Sequence, residues 1–153
     1  MHIFVLTNIP APYRIPAWNC LSQLAPGRLK VWFITASESH RSWVVPAEEM
    51  NFPWQFLTNG SNSNRFLVET KTAGGMLVQL MRSRPQAVIC GGYDTLAAWV
   101  CFMWSKIFRR RFVLWLESTA RDQRQPGRVK TWLKRLLVSN ADGIAAAGKA
   151  TVE

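Results

Sequence analysis

Short runs of β-branched and aromatic residues alternate along the chain with longer stretches in which apolar positions recur every three or four residues. His2–Thr7 reads as a strand, Arg14–Leu24 as a helix and Leu29–Ala36 as a second strand, which together make one βαβ unit. Residues 37–51 are polar and irregular, Trp54–Leu57 has the composition of a short strand, and the Asn, Ser and Gly cluster at Asn59–Asn64 reads as a loop. Beyond it the pattern predicts a helix over Thr72–Ser83, a strand over Ala87–Cys90, a helix over Asp94–Phe108, a strand over Arg111–Glu117, a helix over Arg128–Val138 and a last short strand over Gly143–Ala147. Such alternation predicts an α/β fold, a Rossmann-like, doubly wound, mostly parallel sheet with helices on both faces. No internal repeat, low-complexity tract or Pro/Gly-rich linker divides the 153 residues, so one domain is expected.

Composition narrows the class. Apolar residues make up 48% of the chain and charged residues 18%, with eight Trp and eight Phe, which sets disorder aside and supplies a core. The formal charge is +10, and the basic excess lies in the second half. Cys20, Cys90 and Cys101 form no Cys-x-x-Cys pair and sit among apolar neighbours, as small buried residues of a reducing compartment would. Only two histidines are present and no Cys/His spacing suggests zinc, so no metal site is expected. The amino terminus reads as a strand and not as a signal peptide, which points to a cytoplasmic protein. The segment Gln86–Ser105 carries a single charge, but Gly91, Gly92 and Asp94 interrupt it, and it reads as strand, turn and helix rather than a membrane span.

Doubly wound sheets bind ligands beyond the carboxyl ends of their strands, so the residues after each strand hold the candidate chemistry. After the first strand come Pro12, Tyr13 and Arg14, and an arginine beside free backbone N–H groups suits a phosphate or carboxylate. Equally, Pro12 and Pro16 start a helix and Arg14 is solvated. After the fourth strand, Gly91, Gly92, Tyr93 and Asp94 give a tight turn that lets a ligand approach, with Asp94 read first as a helix cap. Glu117, Ser118 and Thr119 put a carboxylate at the next strand end, as a base or acceptor-binding group or as the partner of Arg121 or Arg124. Neither a Gly-x-Gly-x-x-Gly fingerprint nor a phosphate loop ending in Gly-Lys-Ser/Thr occurs, which argues against dinucleotide enzymes and ATPases. A basic and aromatic region comprises Arg109, Arg110 and Arg111, then Arg128, Lys130, Trp132, Lys134 and Arg135. It suits an anionic membrane surface or is simply a solvated helix face; nucleic acid has only the charge in its favour and no recognisable motif.

The loop Pro10–Arg14, the turn Cys90–Asp94, the strand end Leu114–Thr119 and the stretch Ala146–Lys149 together resemble the N-terminal domain of family-4 glycosyltransferases, over nearly the whole chain and in the same order. That family has the GT-B architecture, two Rossmann-like domains facing each other across a cleft, with the acceptor bound mainly by the first and the nucleotide-sugar donor mainly by the second. The resemblance implies that this chain is the acceptor half of a retaining glycosyltransferase with no cofactor and no obligatory metal. It further implies a donor-binding C-terminal domain in cis or in trans, a glycan or lipid-linked acceptor, a role in cell-envelope polysaccharide or glycolipid assembly, and little activity for this half alone. Pro12, Tyr13, Arg14, Gly91, Gly92, Tyr93, Asp94, Ser118, Thr119, Gly148 and Lys149 would then line the cleft, and Glu117 would be the catalytic candidate. The sequence departs from the family by having Glu117 where many members have a histidine, and Pro10 and Pro12 where many have a Gly-Gly pair. The competing reading is a non-catalytic α/β module that docks on a membrane or a partner chain.

Overall fold

The computed structural model describes residues 2–36, 47–58, 65–116 and 128–146. Six strands, β1 (Ile3–Thr7), β2 (Leu29–Phe33), β3 (Trp54–Phe56), β4 (Ala87–Cys90), β5 (Arg111–Leu116) and β6 (Gly143–Ala146), form one sheet in the order β3-β2-β1-β4-β5-β6. All neighbours are parallel, with Leu6 opposite both Trp32 and Cys90, and Cys90 opposite Leu114. The helices are α1 (Ile15–Leu24), α2 (Arg65–Ser83), α3 (Leu96–Ile107) and α4 (Arg128–Asn140). The fold is therefore doubly wound and α/β, as the alternation of patterns predicts.

Side-chain alternation in the central strands assigns each residue to a face. Phe4 and Leu6 of β1, Val88 and Cys90 of β4 and Phe112 and Leu114 of β5 pack with Met76 and Leu80 of α2, with Ala97, Cys101 and Phe102 of α3, and with Leu137 of α4. On the other face Val5, Val31 and Phe33 pack with Ile15 and Trp18 of α1, and Trp18 meets Trp115 at a ring separation of 4.8 Å. Burial on both faces explains why β1 and β4 read as nearly continuous apolar runs rather than alternating ones, and why Lys30 alone interrupts β2.

The helix boundaries carry corrections. Helix α1 begins at Ile15, after a 3-10 turn at Pro12–Arg14, because two prolines in five residues fix φ where a helix must start. Thr95, not Asp94, caps α3: its Oγ1 accepts the Ala98 N–H at 3.3 Å, and Asp94 lies one residue outside the cap, exposed. Helix α2 begins at Arg65, seven residues before the expected Thr72, with Thr72 inside it and its hydroxyl donated to the Val68 and Glu69 carbonyls. Cys90 and Cys101 are buried as expected, and burial pushes the Cys101 thiol pKa well up, whereas Cys20 is exposed on α1.

Candidate functional site

The strand order reverses between β1 and β4. The chain leaves β1 toward α1 on one face and leaves β4 toward α3 on the other, so the two following loops part and open a crevice at the carboxyl edge of the sheet. The first loop is tied to the sheet by the Thr7 carbonyl, which accepts the Ile34 N–H at 3.0 Å, and by Asn8, whose carbonyl accepts that of Thr35 at 3.0 Å. Ile9, Pro10 and Ala11 are buried, so the loop is anchored, and it turns outward at Pro12 and Tyr13, which are exposed. Arg14, half-buried, turns back to the crevice, and its Nη1 donates to the hydroxyl of Thr7. No side chain caps the amino end of α1, where Arg14 stands. A guanidinium held beside the positive end of a helix dipole is an arrangement that favours an anion.

From the β4 side, Gly91 closes the crevice floor. Its N–H continues the ladder to the Leu6 carbonyl at 2.7 Å, and a Cβ at this position would lie 3.1 Å from Thr7 Oγ1 and 3.3 Å from Arg14 Nη1. Only glycine leaves that space to the guanidinium. Gly92 has φ of +121°, a conformation that L residues rarely adopt, and it swings the chain into Tyr93. The Tyr93 carbonyl accepts Trp99 Nε1 at 3.1 Å, and Lys134 Nζ of α4 lies 5.9 Å from the centre of the Tyr93 ring. The structure thus brings Arg14, Gly91 and Gly92 to one place, with Tyr93 and Lys134 on its α3 and α4 side.

Thr7 is the residue sequence reasoning missed. It is 1% exposed, a buried hydroxyl at the end of an otherwise apolar strand, and that polar residue at a strand terminus was the available signal. Glu117, Ser118, Thr119, Gly148 and Lys149 lie outside the described residues. Arg128 and Lys130 are in the first turn of α4, with side chains outside the description; Trp132 is 61% exposed, Lys134 half-buried and Arg135 exposed. Arg109, Arg110 and Arg111 occupy the turn from α3 into β5. That turn is at the amino edge of the sheet, whereas α4 begins after the carboxyl end of β5, so the fold divides the expected basic surface between two edges. Among the described residues no group of three His, Cys, Asp or Glu side chains is placed to hold a metal ion, and no helix is long and apolar enough to cross a membrane.

Neither a family model nor a curated protein matches the sequence. Solved structures do match the fold. HepE of Anabaena, crystallised with UDP and glucose, superposes with a TM-score of 0.64 at 15% identity, over 99% of this chain and 39% of that one. The UDP-GlcNAc 2-epimerase of Neisseria meningitidis, bound to UDP-GlcNAc, gives 0.57 at 12% identity over 99% and 48%, and MurG of Acinetobacter baumannii gives 0.56 at 15% over 98% and 42%. The fold is that of an N-terminal GT-B-like domain. The chain spans less than half the length of each of these proteins, and the likeness is one of fold.

Proposed function

We propose that this chain is the acceptor-side domain of a glycosyltransferase that moves a sugar from a nucleotide-sugar donor to a glycan or lipid-linked acceptor in cell-envelope polysaccharide or glycolipid assembly. The observation that carries the reading is the Arg14 guanidinium, held between Thr7 and Gly91 at the switch point of a GT-B-like domain. Transfer breaks the bond from the anomeric carbon to the donor phosphate, forms one to an acceptor oxygen and releases the acceptor proton. The nucleoside diphosphate leaves with its negative charge. A cation beside a helix amino terminus stabilises that charge as it develops, and a preorganised group does so without reorganisation at the moment of reaction. Arg14 fills this role in the proposal, or else holds an anionic group of the acceptor. Lys149 is a second cation of suitable type, and Glu117, next after β5, is the candidate carboxylate. One Rossmann-like layer offers a single wall to a sugar nucleotide, so the donor-binding domain, in cis or in trans, is the partner the reading requires.

The test uses the full-length protein with UDP-sugars and glycan or lipid-linked acceptors, following both UDP release and the glycosylated product. Arg14→Ala is expected to lower kcat/KM by about tenfold or more, the loss of one charged hydrogen bond, with the folded circular-dichroism spectrum retained. Turnover by both Arg14→Ala and Glu117→Gln equal to that of the parent would remove both from the site. Conversion of the donor to an isomeric sugar nucleotide, with no acceptor needed, would replace transfer by epimerisation, the activity named for one of the matching folds.

A further inference from the structure

The amino edge of the sheet, opposite the crevice, gathers charge from two segments far apart in sequence. Helix α2 returns to β4 through Arg82 and Arg84, and α3 returns to the adjacent β5 through Arg109, Arg110 and Arg111. Glu48 and Glu49 precede β3 at the far end of the sheet, and among the described residues the acid against the start of β5 is Asp142, at the entry to β6. Its carboxylate is engaged by Lys106 Nζ at 3.1 Å and by the Phe112 N–H at 2.8 Å and also feels the charge of Arg111, so this one acid offsets a single charge of the corner and leaves the rest in excess.

The two described non-glycine residues with positive φ are both on this edge and both are arginines, Arg84 at +43° and Arg109 at +52°. Arg109 stands where helices favour glycine: its N–H reaches the Lys106 carbonyl at 3.3 Å and that of Arg110 reaches the Ser105 carbonyl at 2.7 Å, the paired bonds of a Schellman termination. Stability alone would select glycine there. Ser105, Lys106, Arg109, Arg110, Arg111 and Asp142 line a cavity of about 290 Å³, beside which Arg110 Nε is buried with no hydrogen-bond partner. Ile107 and Phe108, which lie between Lys106 and Arg109 in the chain, are 67% and 45% exposed.

We infer that this corner is a docking surface for an anionic phospholipid bilayer, with a headgroup phosphate seated among Arg109, Arg110 and Arg111 and the Ile107 and Phe108 side chains entering the interface. Cationic groups beside exposed apolar ones match the charged and hydrocarbon layers of such a surface, whereas a free anion would have no use for the two apolar side chains. The inference rests on the edge alone and stands apart from the sugar-transfer reading.

Flotation of the full-length protein with phosphatidylglycerol-containing and pure phosphatidylcholine vesicles tests it, at low and high salt. Retention is expected on the anionic vesicles only, weakening as salt rises, and weaker by about tenfold or more for Arg109→Gln with Arg111→Gln. Ile107→Ser with Phe108→Ser should also weaken it. Arg109→Gly guards against misfolding, because it should melt higher than the parent and still bind less. Equal retention of the arginine variants, retention indifferent to lipid charge, or no effect of the Ile107 and Phe108 changes would overturn the inference. Saturation by inorganic phosphate without vesicle binding, or a nucleic-acid gel shift in its place, would overturn it in favour of those partners.

Discussion

Gly91 decides how near the Arg14 guanidinium can come to Thr7. Thr7 is fixed in the central strand, so the Cβ of a Gly91→Ala variant would press on its hydroxyl at 3.1 Å as well as displacing the flexible end of Arg14. The variant should lose activity to about the same extent as Arg14→Ala, about tenfold, and melt somewhat lower because of the contact with Thr7. The double variant Arg14→Ala/Gly91→Ala should be no worse than either single one, since both remove the same contact. Additive losses in kcat/KM would show instead that Gly91 meets the substrate on its own account. At this scale the sequence was legible where a residue type has one physical use. Gly92 occupies a φ that glycine alone tolerates, and Arg14 beside prolines marked the first loop. It was opaque where two polar residues compete for one duty. Asp94 and Thr95 are both good caps, and only the path of the chain after Gly92 places Thr95 at the helix start.

Elements were legible in proportion to how much of their pattern comes from burial. Strands β1 and β4, β2 apart from Lys30 and β5 after Arg111 run apolar because both faces are covered, and the sequence marks them to within a few residues. The pattern alone makes helix α2 short because its first turns, Arg65–Lys71, follow an Asn/Ser/Gly cluster and include the β-branched Val68 and Thr70, which helices disfavour; packing of Met76 and Leu80 against the sheet supplies what propensity lacks. The α3–β5 and α4–β6 turns are joined by Asp142, a contact across 30 residues that no local pattern contains. The hydrogen bond from the Phe112 N–H holds the Asp142 carboxyl below its ordinary value, opposed by burial and helped by Lys106 and Arg111. A depressed carboxylate pKa contributes stability above its unfolded value of about 3.9 and loses it as pH falls through the folded value. Asp142→Asn should therefore lower the melting temperature at neutral pH, by the equivalent of at most about 1 kcal/mol because the pair is exposed, and the two proteins should converge in strongly acid solution. Melting curves that stay parallel down to the acid limit would show that the carboxylate charge contributes nothing.

In the whole molecule the crevice and the arginine edge lie at opposite ends of the same strands. The central strands are only four or five residues long, so roughly 15 Å of packed sheet separates the two ends, beyond the reach of a shared contact and more than a Debye length at physiological salt. Changes at the two ends should then be independent. In the full-length protein, Arg109→Gln with Arg111→Gln should leave kcat/KM on a water-soluble acceptor within about twofold of the parent while reducing vesicle retention, and Arg14→Ala should do the reverse. The combined variant should show both losses, each at its single-variant size. On a lipid-linked acceptor presented in anionic vesicles the edge variant should lose rate as well, through KM rather than kcat, because docking concentrates enzyme at the surface without touching the reacting groups. Loss of kcat on the soluble acceptor would show that the edge reaches the crevice through the sheet or through a second domain.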